Sequence, residues 1–178
     1  MNDEGLPTGL YYIALSSFLF QLSRHLVLPV YTLYLLSVGA TLAQAGLILS
    51  IQSFLLIISK IPLTMLSKKI GEDRMFKIAF LVQATAPLLY AYAPNMYWLY
   101  IIPFYQIIAR GSFNQMAMSR ASNMVTSDKQ GDALGRYMGI MSTGMFVGPL
   151  ISSALLVYLD YRQLFLASSI FPLIALGR

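Results

Sequence analysis

The chain has 178 residues, of which 57% are hydrophobic and 11% are charged. A soluble domain carries about 25% charged and about 45–50% apolar residues, so this composition indicates a protein surrounded mostly by lipid. The net charge of +5 does not indicate a nucleic-acid partner, because the basic residues fall between long apolar runs and form no continuous patch. The absence of cysteine excludes disulfides, thiolate metal sites and cysteine nucleophiles.

Six apolar segments follow one another, each near the length of about 20 residues that crosses a bilayer. The predicted spans cover residues 9–36, 42–66, 75–93, 96–124, 133–159 and 162–178. The breaks between them are short and polar, and each span holds one proline that can kink its helix. The first span has no basic segment before it and is too long for a cleaved signal peptide. The prediction is an all-α integral membrane protein whose residues 1–178 form a single six-helix transmembrane domain.

The distribution of positive charge predicts the orientation of these spans. Seven basic residues flank the second and fourth breaks: Lys68, Lys69, Arg74, Lys77, Arg120, Lys129 and Arg136. The first and third breaks carry no Lys or Arg, and the fifth carries only Arg162. Basic loops stay on the cytoplasmic side, so the even-numbered breaks and both termini are expected there, in a multi-pass protein of the cell membrane.

The fifth span carries a stripe of small residues. Gly144, Gly148 and Ser152 are spaced by four, so they lie on one helix face, and Pro149 follows the second glycine. Such a stripe lets a neighbouring helix approach closely. From the residues alone, a plain packing role is a sufficient explanation.

This stripe resembles the fifth-helix motif of the major facilitator superfamily. The motif is glycine, eight residues, glycine, three residues, Gly-Pro, two residues and Gly-Gly. The chain matches it at Gly135, Gly144, Gly148 and Pro149. Ser152 and Ser153 replace the final glycines, and the strict motif is associated with drug/proton antiporters.

Two further segments are similar to patterns of that superfamily. In the second break Lys69, Gly71 and Arg74 fit the loop motif, whereas Lys68 stands where the family has an aspartate that helps latch its two halves. In the fourth span Arg110 stands where the family often has an arginine linked to proton coupling. The resemblance implies a six-helix bundle like the N-terminal half of such a transporter, with the first and fourth helices lining the central cavity.

Ionisable side chains within the spans are the candidate site residues. An ionised group at mid-bilayer costs at least about 2.5–3.5 kcal/mol, so it usually faces a cavity or a partner. Arg24 and Arg110 are predicted to bind an anionic group of a substrate, unless they pair with backbone carbonyls or with carboxylates of a second half. Polar residues at helical spacing accompany them as candidate substrate ligands: Gln21, Gln106 and Asn114.

The lone histidine, His25, is the candidate for carrying a proton, with an ordinary interhelical hydrogen bond as the alternative. Every acidic residue lies in a terminus, a loop or a helix end, so no carboxylate in the spans can carry a coupling proton. No cofactor, metal site or catalytic group is predicted, since no nucleophile–base pair or acidic pair is visible.

Together these observations predict a secondary transporter of a small molecule that works by alternating access, either a drug/proton antiporter or an organic-anion carrier. The expected partners are the lipid bilayer, the substrate, and a second six-helix half or another copy of the chain. The alternative is a membrane protein that does not transport: a scaffold, a regulatory subunit or a degenerate remnant.

Overall fold

The computed structural model describes residues 8–125 and 130–176, and these residues form α-helices joined by short turns. The helices are α1 (Thr8–Ser37), α2 (Leu42–Ile70), α3 (Glu72–Ala91), α4 (Met96–Asn123), α5 (Gln130–Leu155) and α6 (Tyr161–Leu176). No strand occurs within the described residues. The predicted all-α, six-helix fold is therefore confirmed.

Several helix bounds differ from the predicted ones, and the largest differences are at the ends of α2 and α5. Helix α2 continues through the charged residues to Ile70, and Gly71 alone, at φ +95°, separates it from α3. Charged side chains at the end of a helix remain solvated and do not stop it, whereas a glycine at positive φ does. Helix α5 ends at Leu155 rather than near residue 159, because the N–H groups of Val157 and Tyr158 bond three residues back and tighten the chain into turns. Of the predicted break between residues 124 and 133, residues 126–129 lie outside the described residues.

Polar caps fix the starts of two helices. At the start of α2, Thr41 Oγ1 accepts a hydrogen bond from the Gln44 N–H (3.2 Å), and Gln44 Oε1 accepts one from the Thr41 N–H (2.8 Å). This reciprocal capping box satisfies two backbone donors that a helix leaves unpaired. At the start of α4, Asn95 Oδ1 accepts from the Tyr97 N–H (3.1 Å). The side chains of Thr41, Gln44 and Asn95 therefore determine where α2 and α4 begin.

The helices pack in two equivalent groups of three. Helix α1 packs against α5 and α6, α4 packs against α2 and α3, and α3 packs against α6. Exchanging α1, α2 and α3 for α4, α5 and α6 leaves this pattern of contacts unchanged, as expected for internal repeats of three helices. Helices α1 and α4 also touch directly and have more buried residues than the other helices, so they form the centre of the bundle.

Helix α5 lies unusually close to α1. A Cβ atom placed on Gly144 would come within 2.7 Å of the Phe18 carbonyl oxygen, and one on Gly148 within 2.7 Å of His25 Cβ. Real Cβ atoms do not approach other atoms so closely. The small-residue stripe predicted from the sequence therefore forms the contact between α5 and α1.

Aromatic side chains pack the bundle above and below a polar layer. Phe20, Phe80 and Phe113 are buried together toward the end that carries the basic residues. Tyr31 and Tyr90 are buried toward the opposite end, with ring centroids 5.1 Å apart. The side chains of α1 and α4 between these two clusters form the layer that contains the candidate site.

By length and composition, α1, α2 and α5 are each long and apolar enough to cross a membrane. Helix α3 begins with three charged residues, and α4 carries several polar ones. Helix α6 has 16 described residues. These three helices are therefore too short or too polar to be identified as membrane spans by length and composition, although they belong to the same bundle.

Candidate functional site

A small pocket lies in the polar layer where α1, α2, α3 and α4 meet. It is lined by Arg24, Val27, Leu28, Tyr31, Gln52, Tyr90, Gln106 and Arg110. Its volume of about 20 Å³ is room for a water molecule, since one water needs at least about 10–15 Å³. The pocket is therefore a small space on which several polar side chains converge.

Two arginines give this pocket its charge. Arg24 of α1 and Arg110 of α4 both line it, and both side chains are half-buried. The Nε atom of each is buried and has no hydrogen-bond partner within the part of the chain that the structure describes. No acidic side chain of residues 8–125 or 130–176 lines the pocket. Because buried charges are normally paired, this arrangement is suited to bind an anion.

Two neutral side chains complete the polar wall. Tyr90 donates a hydrogen bond from its hydroxyl to Gln106 Oε1 (3.2 Å), which leaves the amide N–H groups of Gln106 as donors. Gln52 of α2 donates from Nε2 to the carbonyl oxygen of Pro103 (3.2 Å). The Gln106 amide therefore remains as a neutral donor beside the arginines, which also favours a negatively charged ligand.

Tyr31 lines the pocket and also supports the α4 backbone. Pro103 has no N–H, so the carbonyl of Leu99, four residues before it, lacks its helical partner. The Tyr31 hydroxyl donates to that carbonyl oxygen at 2.8 Å. This bond joins α1 to α4 and satisfies a buried acceptor that the proline leaves free.

Comparison with known proteins identifies the family of this bundle. The profile of the Major Facilitator Superfamily matches residues 13–177. The chain belongs to the major facilitator superfamily. It is similar to a protein of Methanocaldococcus jannaschii described as an uncharacterized MFS-type transporter, with 23% identity over 182 residues. That alignment covers 98% of this chain and 44% of the relative, so the chain spans less than half the length of the relative.

Three of the predicted substrate ligands of this superfamily member lie together, and two lie elsewhere. Arg24, Gln106 and Arg110 line the pocket. Gln21 is buried beside Gly144 of α5, and its Oε1 has no partner within the described residues. Asn114 is exposed one turn beyond Arg110 and does not line the pocket.

His25, the predicted proton carrier, lies at the contact between α1 and α5. Its Nδ1 is 2.9 Å from the backbone carbonyl oxygen of Gln21, and its Cβ lies beside Gly148. It is buried and does not line the pocket. Its Nδ1 therefore makes a hydrogen bond within its own helix.

Two of the family motifs, those of the second break and of α5, lie outside the pocket. Lys69, Gly71 and Arg74 line a surface groove at the junction of α2 and α3. In this groove Arg120 of α4 forms an ion pair with Asp73, which ties the start of α3 to the end of α4. On α5 a Cβ on Gly135 would meet no atom within 4 Å, whereas Gly144 and Gly148 contact α1.

The sequence patterns did not identify Gln52 and Tyr90 as parts of the pocket. Both are polar groups within apolar spans, which is the only sequence signal they carry. Their convergence on Arg110 depends on how α2 and α3 are rotated against α4, and periodicity along one helix does not give that rotation.

Proposed function

We propose that the chain is part of a secondary transporter that carries a small organic anion by alternating access. The observation that carries this proposal is the pair Arg24 and Arg110, which line one pocket from the two central helices without an acidic neighbour. Membership of the superfamily supports transport in general, and the arginine pair supports an anion as its substrate.

Electrostatics favours an anionic substrate over a cationic or neutral one. Each arginine costs at least about 2.5–3.5 kcal/mol at mid-bilayer unless its charge is compensated. A carboxylate or phosphate between the two guanidinium groups would supply that compensation through charge-assisted hydrogen bonds. Gln106 adds neutral donors to the same wall.

The same layer does not favour a drug/proton antiporter. The acidic residues within the described ranges are Glu72, Asp73, Asp132 and Asp160, and each lies in the first turn of a helix or in a turn. No carboxylate is therefore placed in this layer to exchange a proton with a cationic substrate. Ser152 and Ser153 also replace the last glycines of the antiporter motif.

We further propose that the chain spans the membrane six times, with its basic end in the cytoplasm, and works with a second six-helix unit. The chain aligns with only 44% of its relative, and this difference in length supports such a unit. So does the open surface of α2, whose buried residues are only Ala45, Gln52 and Ser67. Large apolar side chains such as Phe54 and Phe146 are exposed on α2 and α5, beside the central helices.

Flux in proteoliposomes tests the proposed function. The protein would be reconstituted with any co-encoded second half, and uptake of labelled small carboxylates and sugar phosphates would be measured. Arg110→Ala is expected to abolish uptake of the anion that the wild type carries, with insertion into the vesicles unchanged. Lys60→Gln removes a positive charge from an exposed position of α2 outside the pocket and should leave uptake intact.

Two results would contradict this function. Uptake by Arg110→Ala equal to that of the wild type would remove the arginine from the substrate site. Absence of saturable flux of any anion by the wild type would favour the scaffold or regulatory subunit, the alternative that Lys68 at the latch position already suggests.

A further inference from the structure

A second cavity lies away from the central pocket, beside the N-terminal part of α1. Its volume is about 220 Å³, and helices α1, α3, α4 and α6 contribute its walls. The lining residues are Tyr12, Ile13, Leu15, Ser16, Leu19, Phe76, Lys77, Phe80, Arg120, Ala175 and Leu176. Neither family motif and no residue of the central pocket is among them.

The cavity is polar at one side and apolar elsewhere. Lys77 is exposed, and the Arg120 side chain is only 22% exposed, with its guanidinium carbon 4.3 Å from the centre of the Phe76 ring. Arg120 also pairs with Asp73, so this group of three charges keeps a net positive charge through Lys77. Leu15, Leu19 and several other apolar side chains form the remaining wall.

Size and position indicate what this cavity can hold. Pockets for drug-sized soluble ligands measure about 300–1,000 Å³, so 220 Å³ fits a headgroup or part of one acyl chain. The cavity lies at the end of the bundle that carries Lys68, Lys69 and Arg74, which is the end proposed to face the cytoplasm. Basic pockets between membrane helices on the cytoplasmic side bind anionic lipid headgroups.

We propose that this cavity is a binding site for an anionic phospholipid of the adjoining leaflet. Lys77 and Arg120 bind the phosphate of the headgroup, and the hydroxyls of Tyr12 and Ser16 are further donors toward its polar part. An acyl chain follows the apolar side between α1 and α3 and continues into the bilayer. Occupancy of this site does not require transport, so it can be tested independently of flux.

Native mass spectrometry of the purified protein in detergent tests the site. The protein would be titrated with phosphatidylglycerol and, separately, with phosphatidylcholine of the same acyl chains. Lys77→Gln is expected to weaken phosphatidylglycerol binding about fivefold, since one basic residue near a membrane surface contributes on that scale. Lys68→Gln makes the same charge change at the same end of the bundle but outside the cavity, and it should bind as the wild type does.

Ser16→Leu provides a second variant that keeps every charge. It places a larger apolar side chain in the cavity and removes a hydroxyl that is proposed to contact the headgroup. It should therefore weaken phosphatidylglycerol binding without altering the basic residues. Size-exclusion elution of each variant identifies any that has lost its fold. Inorganic phosphate at millimolar concentration is not expected to displace the lipid, because it has no acyl chain to bury.

Four outcomes would overturn the assignment. Phosphatidylglycerol binding unchanged in Lys77→Gln would remove the headgroup contact, and equal loss in Lys68→Gln would indicate a general effect of charge. Full binding by a folded Ser16→Leu would place the lipid elsewhere. Displacement of the lipid by inorganic phosphate would make this a site for a soluble anion.

Discussion

At the scale of single residues, the central feature is a pair of half-buried arginines in the polar layer, whose Nε atoms have no hydrogen-bond partner within the described residues. Arg24 and Arg110 remain without carboxylate partners in the described chain, although the bilayer makes unpaired charge expensive. Such an uncompensated cost is typical of a functional site rather than of a packing contact. The same layer includes one residue with a structural role that can be tested separately.

Tyr31→Phe should lower the free energy of unfolding by about 1–3 kcal/mol, because it leaves the buried Leu99 carbonyl without a partner. The matched control is Tyr34→Phe. The Tyr34 ring packs 5.4 Å from that of Phe165, but its hydroxyl makes no hydrogen bond within the described residues. Thermal unfolding in detergent would compare the two variants. Equal stability of Tyr31→Phe and Tyr34→Phe would contradict the role given to the Tyr31 hydroxyl.

The sequence predicted three of the eight residues that line the pocket. Charged residues within apolar spans are conspicuous, so Arg24 and Arg110 were predictable, and helical spacing added Gln106. The same spacing also suggested Gln21, which the structure places beside α5. Helical spacing alone could not exclude Gln21. Residues three or four apart lie on one broad helix face, and part of that face of α1 contacts α5 instead of lining the pocket.

At the scale of elements, the contact between α1 and α5 depends on the absence of side chains. Gly148→Ala should destabilise the protein by about 1–3 kcal/mol, because the new methyl group would meet the rigid α1 backbone at His25. Gly139→Ala is the control on the same helix, where a Cβ meets nothing within 4 Å. It should be neutral or stabilising by up to about 1 kcal/mol, since alanine favours helix over glycine.

Chemical unfolding in mixed micelles, followed by circular dichroism, would measure both glycine variants. If Gly148→Ala proved as stable as Gly139→Ala, then α5 would not approach α1 as closely as the structure indicates. The prediction is specific to position, because both substitutions add the same methyl group to the same helix.

The elements themselves were largely predictable from hydropathy, and their ends were not. Six apolar segments correspond to six helices, but α2 runs past three charged or polar residues and ends at Ile70. Hydropathy reflects the free energy of transferring side chains into lipid, whereas a helix ends where the backbone conformation changes. The capping box at Thr41 and the positive φ of Gly71 mark such ends by local chemistry.

At the scale of the whole molecule, the proposed orientation can be tested because the chain contains no cysteine. Single variants Lys69→Cys and Tyr97→Cys place one thiol at each end of the bundle, and the Tyr97 side chain is 75% exposed. A membrane-impermeant maleimide should label Tyr97→Cys in intact cells and Lys69→Cys only after permeabilisation. Labelling of Lys69→Cys in intact cells would reverse the proposed topology.

The central claim is that Arg24 and Arg110 together bind the carried anion, and its equilibrium affinity tests this most directly. Isothermal titration with the anion identified by flux would compare the wild type with Arg24→Gln and Arg110→Gln. Each variant should lose at least about tenfold in affinity, since a charge-assisted hydrogen bond contributes about 1.5–3 kcal/mol. Wild-type affinity in both variants would contradict the claim.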